Sequence, residues 1–163
     1  MSSDITLSDL IPTIREVVNA GNEATFIPNG KSMRPFLEGG RDKIVLVKAS
    51  FPLKKYDVPL YVRDDGSIVL HRVIKVTNTT DGPLYFFRGD NTWETEEGIT
   101  NKHIVAMVSK FCRKGKWHSV KDKGYLFYCA FWCKTFSVRK FLFLSLSLFK
   151  RAVRKFIRII KNK

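Results

Sequence analysis

The chain is expected to be mainly β, an antiparallel barrel or sandwich with a short helix before it and basic helices after it. Three observations predict this. Between residues 24 and 111, short runs of β-branched and aromatic residues recur with local turn residues between them, a pattern that favours antiparallel strands over βαβ units. On either side of that interval the apolar spacing becomes helical. At 163 residues, the chain is long enough for one compact core with an appendage. The expected organisation is an N-terminal helix over 1–21, a β domain over 22–111 and a basic amphipathic tail over 112–163.

Leu7, Leu10, Ile11, Ile14, Val17 and Val18 fall on one helical face. Ser8 or Thr6 can cap this helix and Gly21 can end it. Pro12 is tolerated in a first turn, which favours Ser8 as the cap. One such helix is too little for a helix-turn-helix DNA-binding domain. Ala24 to Pro28 reads as a strand leading into a turn at Gly30. Lys43 to Lys48, Pro59 to Arg63, Ser67 to Val76, Leu84 to Arg88 and Ile104 to Phe111 follow as strands. Asp64-Asp65-Gly66 is a hairpin signal, Asn78 to Gly82 a polar loop, and Arg113 to Lys116 a basic turn.

The formal net charge is +14, and it is unevenly spread. From Lys110 onward there are sixteen Lys or Arg against one acid, Asp122, while Met1 to Ser109 is close to neutral. A neutral body with a cationic tail implies an anionic partner. Tyr125 to Cys133 and Phe141 to Phe149 are apolar, but neither approaches the roughly 20 residues of a spanning helix. Joining them would place Lys134, Arg139 and Lys140 in the bilayer at about 2.5–3.5 kcal/mol each. Phe149, Ala152, Val153, Phe156, Ile157 and Ile160 form an apolar helical stripe, with Lys150, Arg151, Arg154, Lys155, Arg158 and Lys161 on the other face. That is a helix suited to an anionic membrane surface. The tail's aromatics have few polar readers among them, so nucleic acid is not the expected partner.

Cys112, Cys129 and Cys133 lack a CxxC pair or a nearby His, which suits free thiols rather than zinc; no metal or cofactor is expected. Met1 to Gly21 has no apolar h-region, so no export is expected. The expected location is the cytoplasm, at the inner surface of the membrane.

Chemistry-bearing residues stand in three segments. Ser32 lies in Gly30-Lys31-Ser32-Met33-Arg34-Pro35. There Gly30 permits close backbone approach, and the N–H groups of Ser32 and Gly30 are candidate oxyanion donors. His71 lies in a strand, Val69-Leu70-His71-Arg72-Val73, facing the side of Val69 and Val73, with Arg72 on the opposite face. Neutral imidazole there suits a general base. Asp90, in Arg88-Gly89-Asp90-Asn91, supplies a carboxylate to orient the imidazole. His103 and His118 have no such setting.

In this order and spacing the segments resemble the serine peptidase superfamily of type I signal peptidases and LexA-like self-cleaving repressors. Ser32 to Pro35 matches the Ser-Met-x-Pro box, Asp57-Val58 an Asp-Val step, His71 to Ile74 the base segment and Gly89-Asp90-Asn91 the Gly-Asp-Asn box. Histidine as the base resembles the archaeal and endoplasmic-reticulum variety. That variety carries a second acid six positions past the Asp, here Glu96. The chain departs from the pattern at Tyr56-Asp57, where Gly-Asp is usual, and Gly30 offers no hydroxyl to the oxyanion.

The resemblance implies a serine endopeptidase with a Ser32–His71 dyad, Asp90 orienting His71, and an extended leader, signal or precursor peptide as substrate. That peptide would pair with strand edges at Phe26 to Gly30 and Val69 to His71, contacting Phe26, Pro28, Met33, Val69 and Leu70. Small side chains are implied next to the cut. The competing expectations are a non-catalytic membrane-surface adaptor on a peptidase fold, and a LexA-like self-cleaving regulator.

Overall fold

The computed structural model describes residues 7–80 and 82–161. These form two units, one ending at Cys129 and one beginning at Ala130.

In the first unit, helix α1 (Leu7–Asn19) buries Ile14 and Val18 in the main core. It begins at Leu7, so Ser8 lies inside the helix rather than capping it, and Pro12 sits past the first turn. The other cap candidate, Thr6, lies outside the described residues. The helix ends as expected at Gly21, whose φ of +85° opens the turn. Gly21 N–H donates to Val18 O at 3.1 Å and Asn22 N–H to Val17 O at 3.1 Å, the paired bonds of a glycine-terminated helix.

Among the described residues nine strands follow: β1 (Ala24–Phe26), β2 (Lys43–Val47), β3 (Pro59–Val62), β4 (Ile68–Leu70), β5 (Arg72–Thr79), β6 (Gly82–Arg88), β7 (Glu96–Ile99), β8 (Ile104–Arg113) and β9 (Lys116–Ser119). They make two antiparallel sheets. One runs β1-β2-β8-β3-β4 with β9 added to β8; the other runs β5-β6-β7. The fold is therefore mainly β, as expected, but the described strands form no closed barrel. Two core clusters correspond to this layout. One holds Val18, Leu37, Ile44, Leu46, Leu60 and Val108; the other centres on Tyr61, Val73, Tyr85 and Phe87.

Several boundaries differ from the sequence expectation. The run Ser67 to Val76 is not one strand: it breaks at His71, with β4 in the first sheet and β5 in the second. Strand β8 continues to Arg113, through the expected domain boundary at 111. The basic turn is a two-residue hairpin between β8 and β9, with Lys114 and Gly115 at φ of +49° and +78°. The hairpin at Asp64-Asp65-Gly66 forms as expected and joins β3 to β4.

Helix α2 (Lys123–Lys134) places Tyr125 and Cys129 in the first unit's core and leaves Phe127 exposed. In the second unit, helix α3 (Phe136–Lys161) is continuous through both the apolar run and the cationic segment. Val138, Phe141, Leu142, Phe143, Leu144 and Leu146 are exposed along it. The stripe of Phe149, Ala152, Val153, Phe156, Ile157 and Ile160 lies outside the described side chains. Among the described residues, no helix is long and apolar enough to cross a membrane.

Candidate active site

The break at His71 is what builds the site. Leu70 is the last residue of β4, paired with Leu60, and Arg72 opens β5, paired with Arg88. His71 therefore spans the step from one sheet to the other. Because Arg72 pairs with Arg88, the residues just beyond that pair, His71 and Gly89, must lie side by side. Gly89 is buried, and a Cβ on it would stand 2.6 Å from Ser32 O and 2.9 Å from His71 Nε2. No side chain fits, which is why glycine occupies this point, with the Ser32 backbone carbonyl and the His71 ring packed against it.

Ser32 sits half-buried in the tight turns that follow Gly30. The last residue of the Gly-Asp-Asn segment pins this turn. Asn91 N–H donates to Ser32 O at 2.7 Å, and Asn91 Nδ2 donates to Lys31 O at 3.2 Å. Gly30 has a φ of +93°, and a Cβ on Gly39 would overlap its carbonyl oxygen, so two glycine backbones pack directly together beside the serine.

A cleft of about 310 Å³ opens over these residues. One wall is Pro28, Asn29 and Gly30, just past β1, and the other is Ile68, Val69 and Leu70 of β4. Strands β1 and β4 are the two ends of the same sheet path, each paired on one side only among the described residues. Ser32 and His71 line the cleft, Met33 and Leu37 reach it from the core, and Arg63 stands at its rim. Phe26, expected to touch substrate, packs partly buried against the core from β1. A second cleft, of about 470 Å³, continues past His71 and is lined by Thr92, Glu94 and Glu96.

Burial is the main force on the His71 imidazole and pushes its pKa down to about 4; Arg63 adds to this, while Glu96 and Asp90 pull the other way. The ring is neutral at neutral pH and able to accept a proton. Its Nδ1 lies 3.4 Å from the Tyr61 hydroxyl and 3.8 Å from Glu96 Oε2. Tyr61 donates to Glu96 Oε2 at 2.7 Å. Arg63 grips the same carboxylate with both ends, Nε to Oε1 at 2.6 Å and Nη2 to Oε2 at 2.8 Å. Burial alone would raise the Glu96 pKa, but the bonds from Arg63 and Tyr61 outweigh it and hold the carboxylate ionised. The second acid thus stands at the far ring nitrogen.

Asp90, expected to orient the imidazole, gives both oxygens to Arg72, at 2.8 and 2.7 Å, and Oδ2 also accepts from Tyr128 at 2.8 Å. Arg72 is fully buried. Its Nη1 also donates to the Tyr125 hydroxyl at 2.7 Å and to Tyr56 O at 3.3 Å. The guanidinium packs over the rings of Phe36, Tyr125 and Tyr128. Tyr56 adopts φ of +82°, a conformation costing about 1–3 kcal/mol for a non-glycine residue. Its carbonyl is held by Arg72, and its N–H by Val73 O at 2.8 Å.

Ser32, His71, Glu96 and the backbone of Gly30 are therefore gathered along two adjoining clefts, with Asp90 locked to Arg72 behind them. Sequence reasoning missed Tyr61, Arg63 and the buried role of Arg72. The available signal for the first two was the hairpin itself: it sets Tyr61 opposite Val69 and so delivers β3 side chains towards His71. No protein-family model, curated protein or solved structure matches the chain.

Proposed function

We propose that the protein is a serine endopeptidase of signal-peptidase-like fold, cleaving an extended leader, signal or precursor peptide with Ser32 as nucleophile and His71 as general base. The observation that carries this is the buried Gly89, which leaves room for the Ser32 backbone carbonyl and His71 Nε2 to flank one point and so sets the two residues side by side. That point adjoins the cleft between the ends of β1 and β4. A peptide laid in that cleft can bond to two strand edges at once, the usual way an extended segment is recognised. His71 takes the Ser32 proton as the oxygen attacks the scissile carbonyl, then returns it to the leaving amine. Water, deprotonated by the same imidazole, releases the acyl-enzyme. Backbone N–H groups of Ser32 and Gly30 are the proposed oxyanion donors.

We further propose that the cationic tail holds the protein on an anionic membrane surface, with the catalytic body on the cytoplasmic side. The exposed apolar side chains from Val138 to Leu146 and the six cations between Lys150 and Lys161 support this assignment.

The test is cleavage of a randomised peptide library, read by mass spectrometry. The wild type should cut, while Ser32→Ala, His71→Ala and the double variant should all be inactive to about the same degree, because nucleophile and base work as one unit. Unchanged cleavage by Ser32→Ala would overturn the assignment.

A further inference from the structure

We infer that Tyr61 is a positioning residue, whose phenol connects the Glu96 carboxylate to His71 Nδ1 and so aims Nε2 at Ser32; this rests on the Ser32–His71 dyad proposed above. The direct distance from Nδ1 to Glu96 Oε2, 3.8 Å, is too long for a hydrogen bond, whereas the Tyr61 oxygen stands beside both, 3.4 Å from Nδ1 and 2.7 Å from Oε2. A phenol has one proton, and Tyr61 gives it to Glu96. The face it offers His71 is a lone pair, so Nδ1 must carry the ring's N–H. That assigns the tautomer: Nε2, on the Gly89 side, holds the accepting lone pair.

Tyr61 is well placed for such a task because it cannot swing away. It is fully buried, its ring lies 4.8 Å from that of Phe87, and its backbone pairs with Val69 on one side and Ile104 on the other. The acid beyond it is equally fixed by the two-ended grip of Arg63. Burial and the neighbouring Glu96 both raise the phenol's pKa, so Tyr61 keeps its proton throughout. When Nε2 takes the serine proton, the ring becomes cationic. The Nδ1–H bond to a phenol already polarised by a carboxylate then strengthens.

The experiment uses the full chain with ¹⁵N-labelled histidine, alongside peptide cleavage. In the wild type, the His71 ring should be the Nδ1–H tautomer. Tyr61→Phe should mix the two tautomers and lower kcat roughly tenfold or more, with KM within about twofold. Three charged groups act on His71: Glu96, Arg63 and Asp90. Removing the negative charge with Glu96→Gln should therefore shift the His71 titration to lower pH. Phe87→Leu, a packing change beneath Tyr61, should lower thermal stability but keep the tautomer. A Tyr61→Phe protein with wild-type tautomer and kcat would overturn the inference, as would an unmoved titration in Glu96→Gln. An active Ser32→Ala variant would instead overturn the dyad, while the tautomer of Tyr61→Phe would still decide the role of Tyr61.

Discussion

Arg72 and Asp90 form a two-bond ion pair with neither side chain more than 2 % exposed, one residue along the chain from His71 and Gly89 respectively. The pair ties the start of β5 to the end of β6 at the point where the proposed base and the glycine beside it meet. A buried pair of this kind is hard to break, because the partner left behind keeps its charge without compensation.

Asp90→Asn and Arg72→Met should each destabilise the protein by about 3–5 kcal/mol. Urea denaturation monitored by tryptophan fluorescence measures this. Loss of peptide cleavage should accompany it even under conditions where the variants remain folded, since the His71–Gly89 neighbourhood depends on this register. A loss below 1 kcal/mol would show that the pair is not what holds the two strands together.

Gly89→Ala should abolish cleavage while leaving secondary structure in place. The added carbon would stand 2.6 Å from Ser32 O and 2.9 Å from His71 Nε2, closer than any real Cβ contact. Either the serine turn or the imidazole must move, and a displacement near 1 Å in such a site costs roughly 100-fold in rate. Circular dichroism together with kcat/KM is the check; a rate within threefold of wild type would contradict the close packing.

Activity should depend on pH through His71. Its pKa is lowered to about 4, so the neutral, proton-accepting form dominates above that value. The rate should rise with pH around 4 and be level by about pH 6. The linked stability has the same sign. Between the unfolded value near 6.5 and the folded value near 4, the unfolded chain binds the proton that the native site refuses, so stability falls as pH drops through that window. Comparing wild type with His71→Gln isolates this contribution: the variant should lose less stability than the wild type between pH 7 and pH 4. A rate that instead climbs through pH 6.5 would mean that the imidazole is solvated.

Removing Phe149 to Lys163 should release the protein from anionic vesicles while sparing cleavage of a soluble peptide. Each cation near such a surface contributes about 1 kcal/mol, over a screening distance of about 8 Å at physiological salt. Vesicle binding should weaken as salt rises, and charge reversal at Lys150, Arg154 and Arg158 should mimic the truncation. Co-sedimentation with anionic and neutral vesicles is the measurement, and equal binding to both would rule out an electrostatic anchor.

Much of the local structure was legible along the chain. Gly21 ended α1, Asp64-Asp65-Gly66 turned β3 into β4, and the β-branched runs became strands, because turn chemistry and side-chain periodicity depend on neighbours in sequence. Strand β7 was not legible. Glu96-Glu97-Gly98-Ile99 has no alternating apolar face, and it is a strand only because β6 lies beside it. The hinge at His71 was hidden for the opposite reason: Ile68 to Val76 reads as one uninterrupted β run, and nothing local marks where it leaves one sheet for another. Sequence by itself therefore determined the mainly β class and the hairpin turn at Asp64-Asp65-Gly66; it pointed to Ser32, His71 and Asp90, and to Glu96 through the resemblance, without fixing their partners. Only the tertiary structure decided that Asp90 faces Arg72 while Glu96 and Tyr61 stand together beside the imidazole. Those partners lie 10 to 35 residues apart, and pairing between strands, which no short window of residues encodes, is what brings them into contact.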